Sequence, residues 1–156
     1  MADEAALVAL FRSKSLRLAL AESCTGGLIA AGIAAVPGAS EVLWGSFVTY
    51  TNNAKAAMLG IEPEFIARHG AVSEETSRAM ALGAKKKSGA EYGLSVTGLA
   101  GPGGDGSGLP VGTVWMGLAL PDGAVISRRF QYTGERNGIR RAAASDAVDI
   151  LFLAAS

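Results

Sequence analysis

The spacing of apolar positions changes twice in the first third of the chain. Residues 4–13 place Leu7, Leu10 and Phe11 on one side of a helix. Residues 16–22, Leu-Arg-Leu-Ala-Leu-Ala-Glu, then alternate and stop at Ser23-Cys24-Thr25-Gly26-Gly27, which predicts a strand running into a glycine turn. Helical spacing returns from Leu28 to Val36, and Pro37-Gly38 ends it. Trp44 to Thr51 is aromatic and β-branched, the composition of a strand. Short helices are expected over Ala54–Leu59 and Pro63–His69. Ser73-Glu74-Glu75-Thr76 resembles a capping box and opens a helix that Gly89 stops after Ser88.

Tyr92 to Val96 reads as a strand that runs into a second glycine-rich turn, Thr97-Gly98-Leu99-Ala100-Gly101-Pro102-Gly103-Gly104. Strands over Val111–Leu120 and Ala124–Tyr132 flank Pro121-Asp122-Gly123, a hairpin signal. Arg136 to Ala155 is the closing helix, with Ile139, Ala143, Ala147, Ile150 and Leu151 on its inner face. Strands alternating with helices, followed by a hairpin, predict a single α/β domain over residues 1–156, three layers α/β/α around a mixed sheet. Trp44, Phe47, Trp115 and Met116 are read as core or interface residues, with the core the expected place. Residues 101–108 hold five glycines and are expected to form a mobile loop over a site.

Composition narrows the function classes. Fourteen basic and fourteen acidic side chains cancel, so the broad positive surface of a nucleic-acid or anionic-membrane binder is not expected. The dense basic run, Lys85-Lys86-Lys87, sits where it complements a helix C-terminus. The single cysteine cannot form an intrachain disulfide and fits a reducing compartment. Met1-Ala2-Asp3-Glu4 lacks the basic region of a signal peptide, and no apolar run approaches the ~20 residues that span a bilayer. A cytoplasmic location is expected.

Both glycine turns follow strands, and ligands of α/β sheets bind at the carboxyl ends of strands. The first turn opens a helix whose free N–H groups and dipole are expected to favour an anion. Neither turn carries the Gly-Lys-Ser/Thr of a P-loop or matches G-x-G-x-x-G, which argues against nucleoside triphosphate and dinucleotide binding. Ser23, between strand and helix, is placed for nucleophilic attack, with backbone N–H groups available as an oxyanion hole. The only histidine, His69, lies far from either turn and is expected at the surface or in a cap. Lys55 and Tyr50, at and just after the end of the second strand, are therefore the candidate bases. Cys24 is a rival nucleophile or a small core residue. Glu22 could orient Ser23 or Lys55, or cap backbone N–H groups. No His, Cys, Asp and Glu set has metal-ligand spacing, so neither a metal nor a cofactor is expected. Arg136 and Arg140 share a face near the last helix's N-terminus, where the dipole disfavours them, unless they meet an anion or pair with Glu135 or Asp146.

In order along the chain, Ala21-Glu22-Ser23-Cys24-Thr25-Gly26-Gly27, Val48-Thr49-Tyr50 with Asn53-Ala54-Lys55, His69-Gly70-Ala71-Val72-Ser73-Glu74-Glu75, Ser95-Val96-Thr97 through Gly104, and Pro110-Val111-Gly112-Thr113-Val114 resemble the CinA C-terminal domain family, the nicotinamide-nucleotide amidases. The resemblance covers nearly the whole chain and is to the stand-alone form, without the molybdopterin-binding-like domain that many members carry. It implies hydrolysis of the carboxamide of nicotinamide mononucleotide to nicotinic acid mononucleotide and ammonia, in pyridine nucleotide recycling. It also implies Ser23 as nucleophile, with Tyr50, Lys55 and Thr97 as further catalytic residues. Glu22, Thr25, Gly26, Gly27, Gly98, Gly101, Gly103, Arg136 and Arg140 are the candidate substrate-binding residues, the arginines on the phosphate side. The loop Asp105-Gly106-Ser107-Gly108-Leu109 departs from relatives, which often carry more charge there. A homodimer is the expected assembly. A non-catalytic nucleotide-binding or competence-associated interaction module is the alternative from another class.

Overall fold

The computed structural model describes all 156 residues. In chain order the elements are α1 (Glu4–Ser13), β1 (Leu18–Glu22), α2 (Leu28–Ala34), a 3-10 turn (Ala39–Glu41), β2 (Leu43–Val48), α3 (Asn52–Leu59), α4 (Pro63–His69), α5 (Glu74–Ser88), β3 (Tyr92–Gly98), β4 (Thr113–Ala119), β5 (Val125–Gln131) and α6 (Arg136–Ala155). The strands form one mixed sheet in the order β2-β1-β3-β4-β5. β1 is parallel to both β2 and β3, whereas β4 is antiparallel to its neighbours β3 and β5.

Strand alternation divides the core between the two faces. Leu18 and Leu20 of β1 join Leu94 and Val96 of β3 in a cluster with Phe11 of α1, Ile29 and Ile33 of α2, and Ile139 and Leu151 of α6. Ala19 and Ala21 point the other way, toward Met80 and Ala84 of α5. Helices thus cover both faces, giving the expected three layers.

The second face is paved with small residues. Ala19 pairs with Gly93, Ala21 with Ser95, and Ser95 with Gly117. A Cβ on Gly93 would stand 2.3 Å from the Ala81 carbonyl oxygen, and one on Gly117 would stand 2.2 Å from that of Ser77. The backbone of α5 therefore lies directly on the sheet. The Ser95 hydroxyl donates to the Ser77 carbonyl and accepts the Gly117 N–H at 3.1 Å, so the polar groups between helix and sheet are paired. Ser73 caps α5 by accepting the Thr76 N–H at 3.1 Å, and the Thr76 hydroxyl donates to the Gly70 carbonyl at 2.6 Å. Cap and seat together fix the loop before α5 above the carboxyl end of β3.

Three expectations need correction. Trp44 is 43% exposed and stacks on Phe47 rather than entering the core, because β2 is an edge strand and its aromatic composition does not report which side is covered. Ile150 is half-buried and packs at the margin of the core, while Val148 joins the buried face of α6. Residues 39–41 form a 3-10 turn that the pattern did not predict. No helix is long and apolar enough to cross a membrane.

Candidate active site

Glu22 at the end of β1 is in register with Val48 of β2 and Val96 of β3. The next residue on each chain segment therefore falls on one row across the sheet: Thr49, Ser23 and Thr97. All three are buried, Ser23 at 8% exposure, and alternation turns them to the face covered by α3 and α5. The Thr97 hydroxyl donates to the Ala71 carbonyl at 2.7 Å, in the loop before α5.

Lys55 comes down onto this row from α3. The Thr51 hydroxyl caps that helix by accepting the Ala54 N–H at 3.1 Å, which sets the direction of its first turn. The Lys55 side chain is 2% exposed. Its Nζ lies 3.2 Å from Ser23 Oγ and 3.2 Å from the Thr49 carbonyl oxygen. Burial holds the lysine below its usual pKa, with the nearby Cys24 thiol opposing the shift. A neutral amine is thereby favoured, and a neutral amine can accept the proton of a serine hydroxyl.

The turn after Ser23 is braced from two sides. Beneath it, Glu22 is fully buried and accepts four hydrogen bonds: Oε1 from the Thr25 hydroxyl and the Ile29 N–H, both 2.9 Å, and Oε2 from the Ala30 N–H at 3.2 Å and the Ser46 hydroxyl at 2.8 Å. The N-terminus of α2 thus meets this carboxylate rather than an external anion, which corrects the anion-site expectation for that helix and places Glu22 as a cap. Outside the turn, Arg140 donates from Nε to the Cys24 carbonyl at 2.9 Å and from Nη2 to the Thr25 carbonyl at 3.0 Å. With both carbonyls held outward, the N–H groups of Cys24, Thr25 and Gly27 donate to no protein acceptor. Gly26 and Gly27 have φ of +58° and +106°, where a side chain would be strained. Thr25 is fully buried against Glu22.

Arg136 ties the loop after β3 to the loop after β2, donating to the Gly101 carbonyl and to the Tyr50 hydroxyl, both at 2.6 Å. Tyr50 is 53% exposed and makes no hydrogen bond to Lys55 or Ser23. The three ion pairs of the chain, Arg12–Glu41, His69–Glu75 and Arg78–Glu74, include neither Arg136 nor Arg140, so both guanidinium charges stand without an acidic partner. Gly98 packs its backbone against β4, where a Cβ would meet Val114 Cγ2 at 2.6 Å. Gly101, at φ +83°, supplies the carbonyl that Arg136 holds, and Gly103 lies in the exposed part of the loop.

Cys24 points into the core beneath α2 and α6, opposite to Ser23, and burial raises its thiol to about 11. That keeps it protonated near neutrality and favours Ser23 as the reactive group. His69 contacts Phe65 and Glu75 and reaches none of these groups. No three His, Cys, Asp or Glu side chains converge anywhere in the chain. The largest cavity, about 830 Å³, is lined by Met1, Asp3, Phe130, Asp146 and Phe152 among others, and holds none of the candidate site residues. Thr49 and Ser46 were not singled out from the sequence. A serine or threonine in a strand is unremarkable until the register shows which carboxylate or amine it faces. The assembled parts, a buried hydroxyl, a lysine amine in contact with it whose charged form burial disfavours, and unpaired N–H groups beside it, are those of acyl transfer.

The family model for the CinA C-terminal domain matches residues 2–154. A CinA-like protein of Myxococcus xanthus is 47% identical over 147 residues, covering 94% of this chain. One from Geobacter sp. strain M21 is 51% identical over 134 residues, covering 86%. The chain spans only about a third of these curated relatives, 35% and 32% of their lengths. Among solved structures, the competence/damage inducible protein CihA from Agrobacterium tumefaciens superposes with a TM-score of 0.93 at 38% identity, covering 100% of this chain and 98% of that one. A CinA superfamily protein from Klebsiella pneumoniae 700603 gives 0.94 at 30% identity, covering 97% and 94%.

Proposed function

The chain belongs to the CinA C-terminal domain family, and from that premise we propose that it is an amidohydrolase that cleaves the carboxamide of nicotinamide mononucleotide, giving nicotinic acid mononucleotide and ammonia. The observation that carries this reading is the 3.2 Å contact between Lys55 Nζ and Ser23 Oγ in a buried setting that favours the neutral amine.

Ser23 Oγ attacks the carboxamide carbon while its proton passes to Lys55 Nζ. The N–H groups of Cys24 and Thr25 receive the developing oxyanion. The C–N bond then breaks, and Lys55 returns its proton to the departing nitrogen, which leaves as ammonia. Water attacks the resulting ester with Lys55 as its base, the bond to Oγ breaks, and Ser23 regains its proton. Thr97, whose hydroxyl proton is held by Ala71, offers lone pairs to the carboxamide N–H. The unneutralised charge of Arg136 and Arg140 supports a substrate that carries a phosphate. Tyr50 belongs to the rim on that side. The Gly98–Gly104 loop lies against the mononucleotide.

Ammonia release from nicotinamide mononucleotide tests this directly. The wild type is expected to turn over, and Ser23→Ala to lose at least about 10³-fold in kcat while still binding. Full activity of Ser23→Ala would sink the serine mechanism. Tight binding by the wild type without turnover would favour a non-catalytic module, and turnover of other amides alone would redirect the substrate.

A further inference from the structure

The row of hydroxyls contains one, that of Thr49, without a partner. Thr49 is fully buried, and its Oγ1 is the one buried side-chain polar atom in the chain without a hydrogen-bond partner. Buried hydroxyls are paired as a rule, and an unpaired one works against folding. Valine has nearly the same shape and would avoid that penalty. The penalty falls beside the reactive pair, since the carbonyl of this same residue accepts from Lys55 Nζ at 3.2 Å.

The chemistry at Lys55 shows what such a hydroxyl could serve. A neutral amine has two N–H donors, and an ammonium has three. Lys55 Nζ has two protein partners, Ser23 Oγ and the Thr49 carbonyl. When Lys55 takes the serine proton, Ser23 Oγ becomes bonded to the acyl carbon and is a poorer acceptor. The new cation, shut off from water, then has three N–H groups and one good acceptor, the Thr49 carbonyl, at the moment its charge forms.

Resting on the serine–lysine reading above, we propose that Thr49 is a positioning residue with two functions: its carbonyl aims the neutral Lys55 at Ser23, and its hydroxyl accepts from the Lys55 ammonium formed during attack. The hydroxyl is thus unpaired in the resting enzyme and paired in the transition state. This is the differential interaction that raises kcat and leaves substrate affinity unaltered. Proton and electron counts are unchanged from the mechanism above, because Thr49 accepts a hydrogen bond and exchanges no proton.

The test compares Thr49→Val, Thr49→Ser and Lys55→Met in the full chain. Three measurements are made: kcat and KM on nicotinamide mononucleotide, the rate of Ser23 labelling by a fluorophosphonate, and the urea midpoint. Thr49→Val is expected to keep or raise the midpoint, hold KM, and lose roughly 10- to 100-fold in both kcat and labelling rate, the size of a hydrogen bond to a charged group. Thr49→Ser is expected to restore most of both rates. Wild-type rates in Thr49→Val overturn the proposal, as does failure of Thr49→Ser to recover them. A lower midpoint in Thr49→Val that accompanies its lost activity also overturns it, by showing a structural hydroxyl. Full labelling and turnover in Lys55→Met would instead reject the serine–lysine reading itself. Loss in Lys55→Met beside wild-type rates in Thr49→Val rejects only the role given to Thr49.

Discussion

Replacing Glu22 by glutamine changes one oxygen to an NH₂ group and leaves the shape of the side chain alone. In the native structure each carboxylate oxygen accepts a different backbone N–H, Oε1 from Ile29 and Oε2 from Ala30. Whichever way the glutamine amide is turned, its NH₂ faces one of those two donors. The hydroxyls of Thr25 and Ser46 can rotate to accept instead of donate, but a backbone N–H cannot. One buried N–H is left unpaired, at about 1–3 kcal/mol, and the helix N-terminus loses a negative charge worth about 0.3–2 kcal/mol. Together the expected loss of stability is about 1–5 kcal/mol. Urea denaturation followed by the fluorescence of Trp44 and Trp115 reads this as a lower midpoint at unchanged slope. The KM for nicotinamide mononucleotide in the remaining folded protein should stay near the wild-type value. An unchanged midpoint combined with a raised KM would refute the capping role and show Glu22 to be a substrate ligand.

The opposite pairing of effects is expected at Lys55. Lys55→Met should cost at least about 100-fold in kcat yet stabilise the fold at neutral pH, because it removes an amine whose charged form burial penalises. The sign follows from linkage: a lysine held below 10.5 in the folded state makes the wild type gain stability as pH rises through the window between that lowered value and 10.5. The advantage of the variant is therefore complete below the window and closes as pH approaches 10.5, which urea titrations at several pH values will show. Arg140→Met releases the Cys24 and Thr25 carbonyls, and misplacing the oxyanion donors is expected to lower kcat about 100-fold in steady-state kinetics. Arg140→Lys should recover little of it, since one ammonium cannot reproduce the guanidinium fork.

Helix limits were legible wherever local chemistry sets them. The acidic start of α1, the Ser73 cap and the Gly89 stop lie in the sequence itself, and α1 and α6 begin and end where the pattern placed them. The strands were legible in number and order but not in length: β1 starts at Leu18 instead of Leu16, and β2 stops at Val48 instead of Thr51, because pairing with neighbours decides where a ladder ends. Trp44 was misread for the same reason, as an edge position looks like an interior one in a single sequence. At the site, Ser23, Lys55 and Tyr50 were visible as residues near strand ends, but spacing left open which of the latter two faces the serine. The structure turns Lys55 to Ser23 and ties Tyr50 to Arg136. Arg140 was expected on the phosphate side; what the sequence could not show is that it also holds two carbonyls, contacts that link positions 115 and 116 residues apart. Glu22 looked like a site residue because it adjoins Ser23, yet alternation sends its side chain under α2. Thr49 lies inside one of the motifs, and only its burial and its missing partner distinguish it.

If Ser23 is the nucleophile and Lys55 its base, a covalent ester on Ser23 must form and decay during turnover. Rapid quenching of the wild type with saturating nicotinamide mononucleotide, followed by mass spectrometry of the peptide containing Ala21-Glu22-Ser23-Cys24-Thr25, measures it. The expected result is an adduct with the mass of the nicotinic acid mononucleotide acyl group, located on Ser23, that appears at the rate of ammonia release or faster and is absent in Ser23→Ala. Ammonia release from the wild type with no adduct on this peptide at any time, or with the adduct on Cys24, would contradict it.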